Sequence, residues 1–362
     1  MSRQTIQCAA TKGPVIYEGD RFKCDTPEEV KAMLEKEGVA VLRNALDAAE
    51  VEAMRTGMWD TLEWLTSTQP TPLARGKPET YAAARALMPN HGSLFQGWPG
   101  LAHRQHLWDV RQNPRVVETF ARIWDCAPAD LLTSMDATSM GVAHLATPKA
   151  TGFERGNVWL HMDQAPIRHG FECVQAWVTA EDVEAGDATL RVLAGSHNFK
   201  EQFSEHFDNY SKEDWYRLND AERAWYAEQG CEDLRVLVPA GGMVLWDSRL
   251  VHSGACPLKE APSPKPRNIV YVCMQPRMGT PGMALTTKQR TTALNRALKK
   301  RKEMFNPESK FYGRMTTHWP VKTKLFGKFP RAYGPKPDSW ETIPPSPVPK
   351  LTPLGRRIAG LE

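Results

Sequence analysis

Two imidazoles and a carboxylate stand out in this 362-residue chain: His161 and Asp163, separated only by Met162, and His252 far downstream in the run Trp246, Asp247, Ser248, Arg249, Leu250, Val251, His252. Two histidines and one carboxylate can occupy one face of an octahedral ion and leave the opposite face for substrate and oxidant, the arrangement of non-haem Fe(II) oxygenases. This set predicts an Fe(II) centre with His161, Asp163 and His252 as both metal ligands and catalytic residues. Its chemistry would be oxidation by O2.

Such a site requires particular elements. The run from 157 to 162 (N-V-W-L-H-M) is bulky and apolar and suits a strand, where residues two apart lie roughly 7 Å along the chain and point the same way. His161 and Asp163 then reach toward one point while Met162 faces the other side. The third ligand must come from elsewhere, and the apolar run from Gly242 to Trp246 predicts a second strand that ends just before His252. A closed or sandwiched β-sheet can supply such a pair and a single ligand. Inward alternation places Gln175 and Trp177 on one face of a further strand over 173–178.

The order of the surrounding segments adds to this. After His161 come Gly186, Asp187, Ala188, Thr189, Leu190, Arg191, Val192, Leu193, Ala194, Gly195, Ser196 and His197, then a glycine turn at Gly241 and Gly242, then His252, then Arg267 entering an apolar strand over 268–273. In these features, and in an opening segment from Leu34 to Leu46, the chain resembles the phytanoyl-CoA dioxygenase family of Fe(II)/2-oxoglutarate oxygenases over about 28–277. The resemblance implies a mainly β fold with flanking helices around a double-stranded β-helix, the cupin-like jelly roll. It also implies Fe(II), 2-oxoglutarate as cosubstrate and O2, with release of succinate and CO2. Arg267 is the implied anchor for the distal carboxylate of 2-oxoglutarate, which an arginine fork matches by two parallel hydrogen bonds; Arg277 is the alternative. Arg267 follows His252 at a longer interval than the family usually shows, across Pro257, Pro262, Pro264 and Pro266, and Ala194 replaces a frequent proline. Gln175 is a second candidate cosubstrate contact. Because Asp163 is present, no ligand position is vacant for a halide, so hydroxylation outranks halogenation; desaturation, epimerisation and ring formation stay open.

The remainder of the chain frames this reading. A composition 41% hydrophobic and 24% charged is that of a globular protein. With no apolar run of about eighteen residues and no signal-like start, the expectation is a cytoplasmic protein without a membrane span. Seven cysteines with no C-x-x-C pair predict reduced, mostly buried thiols. Helices are predicted from a cap at Thr26 to about Lys36, from Asp47 onward, over 114–124, and over 286–304, where Leu294 and Leu298 would pack on the sheet. Residues 131–136 predict an early strand ending at the pocket, with Asp136 either touching substrate or solvated. The stretch 67–105, rich in proline and glycine and holding Trp98 and His103, followed by His106, reads as a substrate-contacting loop. His169 and His197 are not expected to be ligands; His144, His206 and His318 read as surface or packing residues.

Two segments are expected: an oxygenase domain over 1–277, and a basic helical extension with a proline-rich tail over 278–362. Between 286 and 331 thirteen basic side chains face two acidic ones, although the whole chain carries only +4. This suits a small-molecule substrate, an amino acid or secondary metabolite, with an anionic one among the candidates; nucleic acid is a weaker partner, for no binding motif accompanies the charge. The alternatives are an oxygenase of a nucleic-acid base or protein side chain, and an inactive β-barrel binding protein. Sequence does not fix the oligomeric state.

Overall fold

A computed structural model describes residues 1–11, 13–87, 93–95, 100–136, 138–146, 152–156, 159–261, 265–314, 316 and 345–362. Trp98, Asn157, Val158, Pro262, Pro264, His318, Lys322, Lys324, Lys328, Arg331 and the first part of the proline-rich tail lie outside the described residues.

Two seven-stranded sheets face each other. One runs in spatial order Gln4–Cys8, Gly13–Glu18, Asp233–Val236, Thr189–Leu193, His252–Ala255, His161–Met162, Tyr216–Arg217. The other runs Lys23–Cys24, Val39–Leu42, Met243–Asp247, Val174–Thr179, Arg267–Val272, Thr138–Gly141, Leu94–Phe95. Most neighbours are antiparallel and non-consecutive in sequence, the crossover pattern of a jelly roll.

The second sheet is covered on both faces, which explains why Val174–Thr179 and Met243–Asp247 are buried throughout. Val174, Ala176, Val178, Met243 and Leu245 point outward into a core with Val30 and Leu34 of helix Pro27–Glu37 and Val116, Val117 and Phe120 of helix Pro114–Trp124. Alternate residues Trp177, Val244 and Trp246 point inward and meet Val192, Leu234 and Val236 of the first sheet. Each such side chain taken from water is worth roughly 1.5–3 kcal/mol.

Local chemistry sets the helix ends. Asp47 and Glu50 form a reciprocal capping box on helix Ala48–Thr66. Thr26 precedes helix Pro27–Glu37 without a side-chain capping bond, so Pro27 and the acidic first turn open that helix instead. It closes at Gly38, whose φ of 76° is left-handed and whose N–H donates to Leu34 O at 2.9 Å. A Cβ there would also meet His197 and Leu250 at 2.6 Å.

Three expectations need correction. The strand Leu131–Thr133 lies outside both large sheets and pairs with Met274–Pro276, because Leu131 and Leu132 serve cores under the helices. Asp136 is 4% exposed, so it is not a solvated turn carboxylate; its carbonyl accepts from Arg111. His103 and His106 are likewise buried: His103 Nε2 donates to Met304 O at 2.8 Å and its ring lies 4.6 Å from that of Phe305. Both belong to the interior, not to a substrate-facing loop.

The C-terminal segment packs on this body. Helix Thr287–Met304, capped by Thr286 and Gln289, rests Leu294 and Leu298 against Leu132 and Met283, away from the large sheets. Helix Pro353–Ala359 places Ile358 in the same core as Phe120. All seven cysteines are free thiols, five of them buried. Among the described residues no helix is long and apolar enough to cross a membrane.

Candidate metal centre

The strand His161–Met162 is only two residues long, yet it is held on both sides. His252 is its direct partner on one side and Arg217 on the other, each opposite His161. Directly opposed residues of an antiparallel pair project to the same face, so His161 and His252 meet, with ring centroids 4.5 Å apart. Met162 alternates away into a cluster with Phe203, Trp225 and Tyr226. Asp163 lies just past the strand, where its carbonyl accepts from Trp215 N at 3.1 Å.

His252 does not trail the strand Met243–Asp247, as the sequence suggested, but opens the strand His252–Ala255 in the opposite sheet. The reversal is a tight turn in which Leu250 N donates to Asp247 O at 3.0 Å and the Arg249 guanidinium clasps the Asp247 carboxylate. Behind the ligands, Gln164 locks the loop: its backbone N–H donates to Ser248 O at 3.1 Å, its side-chain oxygen accepts from Ser248 Oγ at 2.8 Å, and its carbonyl accepts from buried Lys200 Nζ at 2.6 Å.

The three side chains offer ligand atoms all within 4.8 Å of one another, and all three are buried. His161 Nδ1 lies 3.1 Å from the Trp159 carbonyl and His252 Nδ1 lies 2.9 Å from the Leu250 carbonyl. A carbonyl can only accept, so we assign the proton to Nδ1 in both rings, which leaves each Nε2 with a bare lone pair. Those nitrogens stand 3.1 and 3.6 Å from the Asp163 carboxylate oxygens. Burial by itself raises the Asp163 pKa, and only positive charge at His252 and His161, with the Gln175 amide adding, brings it down to about 2. Burial, with His161 adding and Asp163 opposing, pushes His252 down to about 4. A carboxylate and imidazole lone pairs therefore converge on one point, a donor set that fits a divalent cation and is poorly satisfied without positive charge.

Gln175, expected as a cosubstrate contact, instead donates through Nε2 to Asp163 Oδ2, which makes it the orienting partner of the carboxylate ligand. Trp177, two residues along the same face, carries the Arg267 guanidinium over its ring at 5.6 Å. Arg267 Nε donates to Ser139 Oγ at 3.1 Å and Nη1 to Ala188 O at 2.7 Å, while Nη2 has no partner among the described residues. Arg277 lies elsewhere, donating to the carbonyls of Arg357 and Glu362 at the chain end. Sequence reasoning missed Trp159, whose ring stacks on His161 at 4.1 Å, and the role of Trp246, whose ring lies 5.5 Å from His252. Their position beside the histidines in sequence was the available signal. His197 braces the end of the first helix through Glu35 O at 3.1 Å, His144 pairs with Lys265 O at 2.8 Å, His169 faces Ser204 Oγ and His206 stacks on Trp225.

A protein of Aspergillus versicolor named Ava biosynthesis cluster protein O is 25% identical over 302 residues, 80% of this chain and 91% of that protein. Among solved structures, the epimerase SnoN with Fe3+, alpha ketoglutarate and nogalamycin RO matches at 14% identity and a TM-score of 0.45, covering 71% of this chain and 86% of SnoN. The alpha ketoglutarate dependent carbocyclase SnoK matches at 16% and 0.43, covering 72% and 90%. The model of the family described as phytanoyl-CoA dioxygenase (PhyH), whose members use Fe(II), 2-oxoglutarate and O2, matches residues 34–256. That match spans more than half of the chain, and with it the chain belongs to the phytanoyl-CoA dioxygenase family of 2-oxoglutarate-dependent non-haem oxygenases.

Proposed function

We propose that the protein hydroxylates an unactivated C–H bond of a small molecule, a secondary metabolite or amino acid. The observation that carries this is the intact carboxylate ligand: Asp163 is buried, ionised and oriented by Gln175, so the protein fills the third ligand position itself. When bound, iron with 2-oxoglutarate and O2 supplies the oxidising chemistry. The chain's own residues position and shield. His161 and His252 present Nε2 because backbone carbonyls hold Nδ1–H. Arg267 is held flat by Trp177, Ser139 and Ala188, which leaves the Nη2 hydrogens for the cosubstrate's distal carboxylate. The name of the Aspergillus versicolor relative supports a biosynthetic small molecule.

The test is anaerobic Fe(II) titration followed by a metabolite screen scored by succinate release, with 18O2 to follow oxygen into product. One labelled oxygen in product and one in succinate is the expected result. Succinate formation with an unlabelled, isomerised or cyclised product would overturn hydroxylation and keep the oxygenase assignment.

A further inference from the structure

Three segments that are distant in the chain meet behind the metal ligands. The first, 161–166, carries His161 and Asp163; the second, 247–252, turns back to present His252. The third, 193–204, carries no ligand: it leaves the strand Thr189–Leu193, turns through Gly195, Ser196 and His197, and opens the helix Lys200–His206. It holds both of the others. Leu193 N donates to Val251 O and Val251 N donates to Ser196 Oγ, each at 2.9 Å, which fixes the residue before His252. Lys200 Nζ donates at 2.6 Å to the carbonyl of Gln164, the residue after Asp163, and Ser204 Oγ donates to Pro166 O at 3.1 Å.

With Gln164 bonded twice to Ser248, the three segments are joined pairwise into a closed triangle. Two segments joined only to each other can hinge about their link; a third that grips both removes that freedom, which is what a ligand set of fixed geometry needs. Lys200 is an expensive side chain to place here. It is 2% exposed, on the Met162 side of the strand with Nζ 3.5 Å from Met162 Sδ, and burial, with Arg168 adding, pushes its ammonium down to about 7. Ionised or neutral, the amine keeps hydrogens for the Gln164 carbonyl. A hydrocarbon side chain would fill the space but deprive that carbonyl, on a fully buried residue, of its donor.

We propose that Lys200 is a positioning residue of the metal centre: by tying Gln164 to the segment that also holds Val251, it fixes Asp163 relative to His252 and so raises affinity for the divalent cation. This rests on reading the triad as the metal centre. Lys200 acts through Gln164 and not on the ion itself.

The test is Mn(II) binding to the full chain by calorimetry, with the electron paramagnetic resonance spectrum of the bound ion reporting the symmetry of its ligands. Lys200→Met keeps the stem and removes the donor. It should weaken Mn(II) binding about 10–100-fold and alter the spectrum, while near-ultraviolet circular dichroism stays that of the unaltered protein. Tyr226→Phe is the control, since Tyr226 Oη also reaches Met162 Sδ, at 3.9 Å, and its removal leaves the bond to Gln164 O in place; both readouts should hold. Unchanged affinity and spectrum in folded Lys200→Met would overturn the proposal. So would an equal loss in Tyr226→Phe, which would make the effect one of packing around Met162. Should Lys200→Met fail to fold, Ser196→Ala opens the same triangle at Val251 and should weaken Mn(II) binding as well; normal binding there would overturn the proposal. Mn(II) bound by the unaltered protein no more tightly than by Asp163→Ala would instead remove the metal centre itself, and the positioning role with it.

Discussion

Two regions of this molecule bury charge, and they do it in opposite ways. At the C-terminal seam Arg111, Arg277 and Arg301 are 0%, 9% and 1% exposed. Burial pushes Arg301 down to about 9, with Arg277 and Arg111 adding to the effect. Yet each guanidinium meets carbonyl oxygens: Arg111 those of Ala102 and Asp136 at 3.0 and 2.8 Å, Arg301 that of Ala359 at 3.1 Å, Arg277 that of Glu362 at 3.0 Å. The terminal nitrogens end on acceptors, although Nε of Arg111 and of Arg277 has no partner among the described residues, and the last carbonyls of helix Pro353–Ala359 gain cations where the helix dipole favours them. At the triad the donors are spent on backbone and the acceptors converge on one another. Buried charge signals chemistry where acceptor valence is left open at a shared point, and signals architecture where it is closed by the backbone.

Breaking the open valence should have the largest effect. Asp163→Ala removes the only anionic ligand, so Fe(II) retention and 2-oxoglutarate-dependent succinate release should fall to background while the thermal melt stays close to that of the unaltered protein. A variant that binds Fe(II) normally would sink the triad. The seam should answer the other way. Arg301→Ala strands the Ala359 carbonyl and opens a void, costing about 2–4 kcal/mol in urea unfolding, with Fe(II) affinity per folded molecule unchanged. Arg301→Met, which keeps the stem's volume, should lose less.

The seam also predicts an acid limb. Burial, reinforced by Arg104 and Arg111, holds His106 at about 3; burial, with Arg111 adding, holds His103 at about 4. Both stay neutral in the fold and protonate near 6.5 when unfolded. The unfolded state therefore binds more protons below that value, so this stability is complete above about 6.5 and is lost as pH falls toward 4 and 3, at most roughly 3 kcal/mol for His103 and roughly 5 kcal/mol for His106. His106→Leu should flatten the decline in unfolding free energy between pH 6.5 and 4; an unchanged slope would mean the ring is hydrated. A step smaller, Gln175→Leu should leave Asp163 in place but unoriented, with metal affinity or turnover down about 10–100-fold.

How much of this was legible depended on whether residue type or residue partner carried the information. His161, Asp163 and His252 were readable because few chemistries use those types in that order, and the shared face of Gln175 and Trp177 followed from a period of two. The partner of Gln175 was not readable, since alternation gives direction and not distance. The strand Leu131–Thr133 looked like a core strand because apolar runs report burial, whereas its pairing with Met274–Pro276 is a matter of topology. Tyr216–Arg217, at two residues, has no periodicity to detect, so its place beside His161 was invisible. His103 was misread because the residues that pack on it, Met304 and Phe305, arrive some two hundred positions later, and His106 because its ring lies against Gly57 of helix Ala48–Thr66, a contact no spacing reveals.

The finest distinction lies within one helix. Lys299 and Arg301 stand two residues apart in the basic run and are equivalent by composition, but Lys299 is exposed and Arg301 is 1% exposed among carbonyls of the chain end. Residues two apart on a helix face different directions, so one faces water while the other enters the seam. Lys299→Ala, together with Lys288→Ala on the exposed face, should change unfolding free energy by less than about 0.5 kcal/mol, as surface substitutions away from buried features do. Fe(II) affinity should not move. A loss comparable to that of Arg301→Ala would mean that the exposed lysines also hold the fold together, and would remove the basis for separating architectural charge from solvated charge along 287–304.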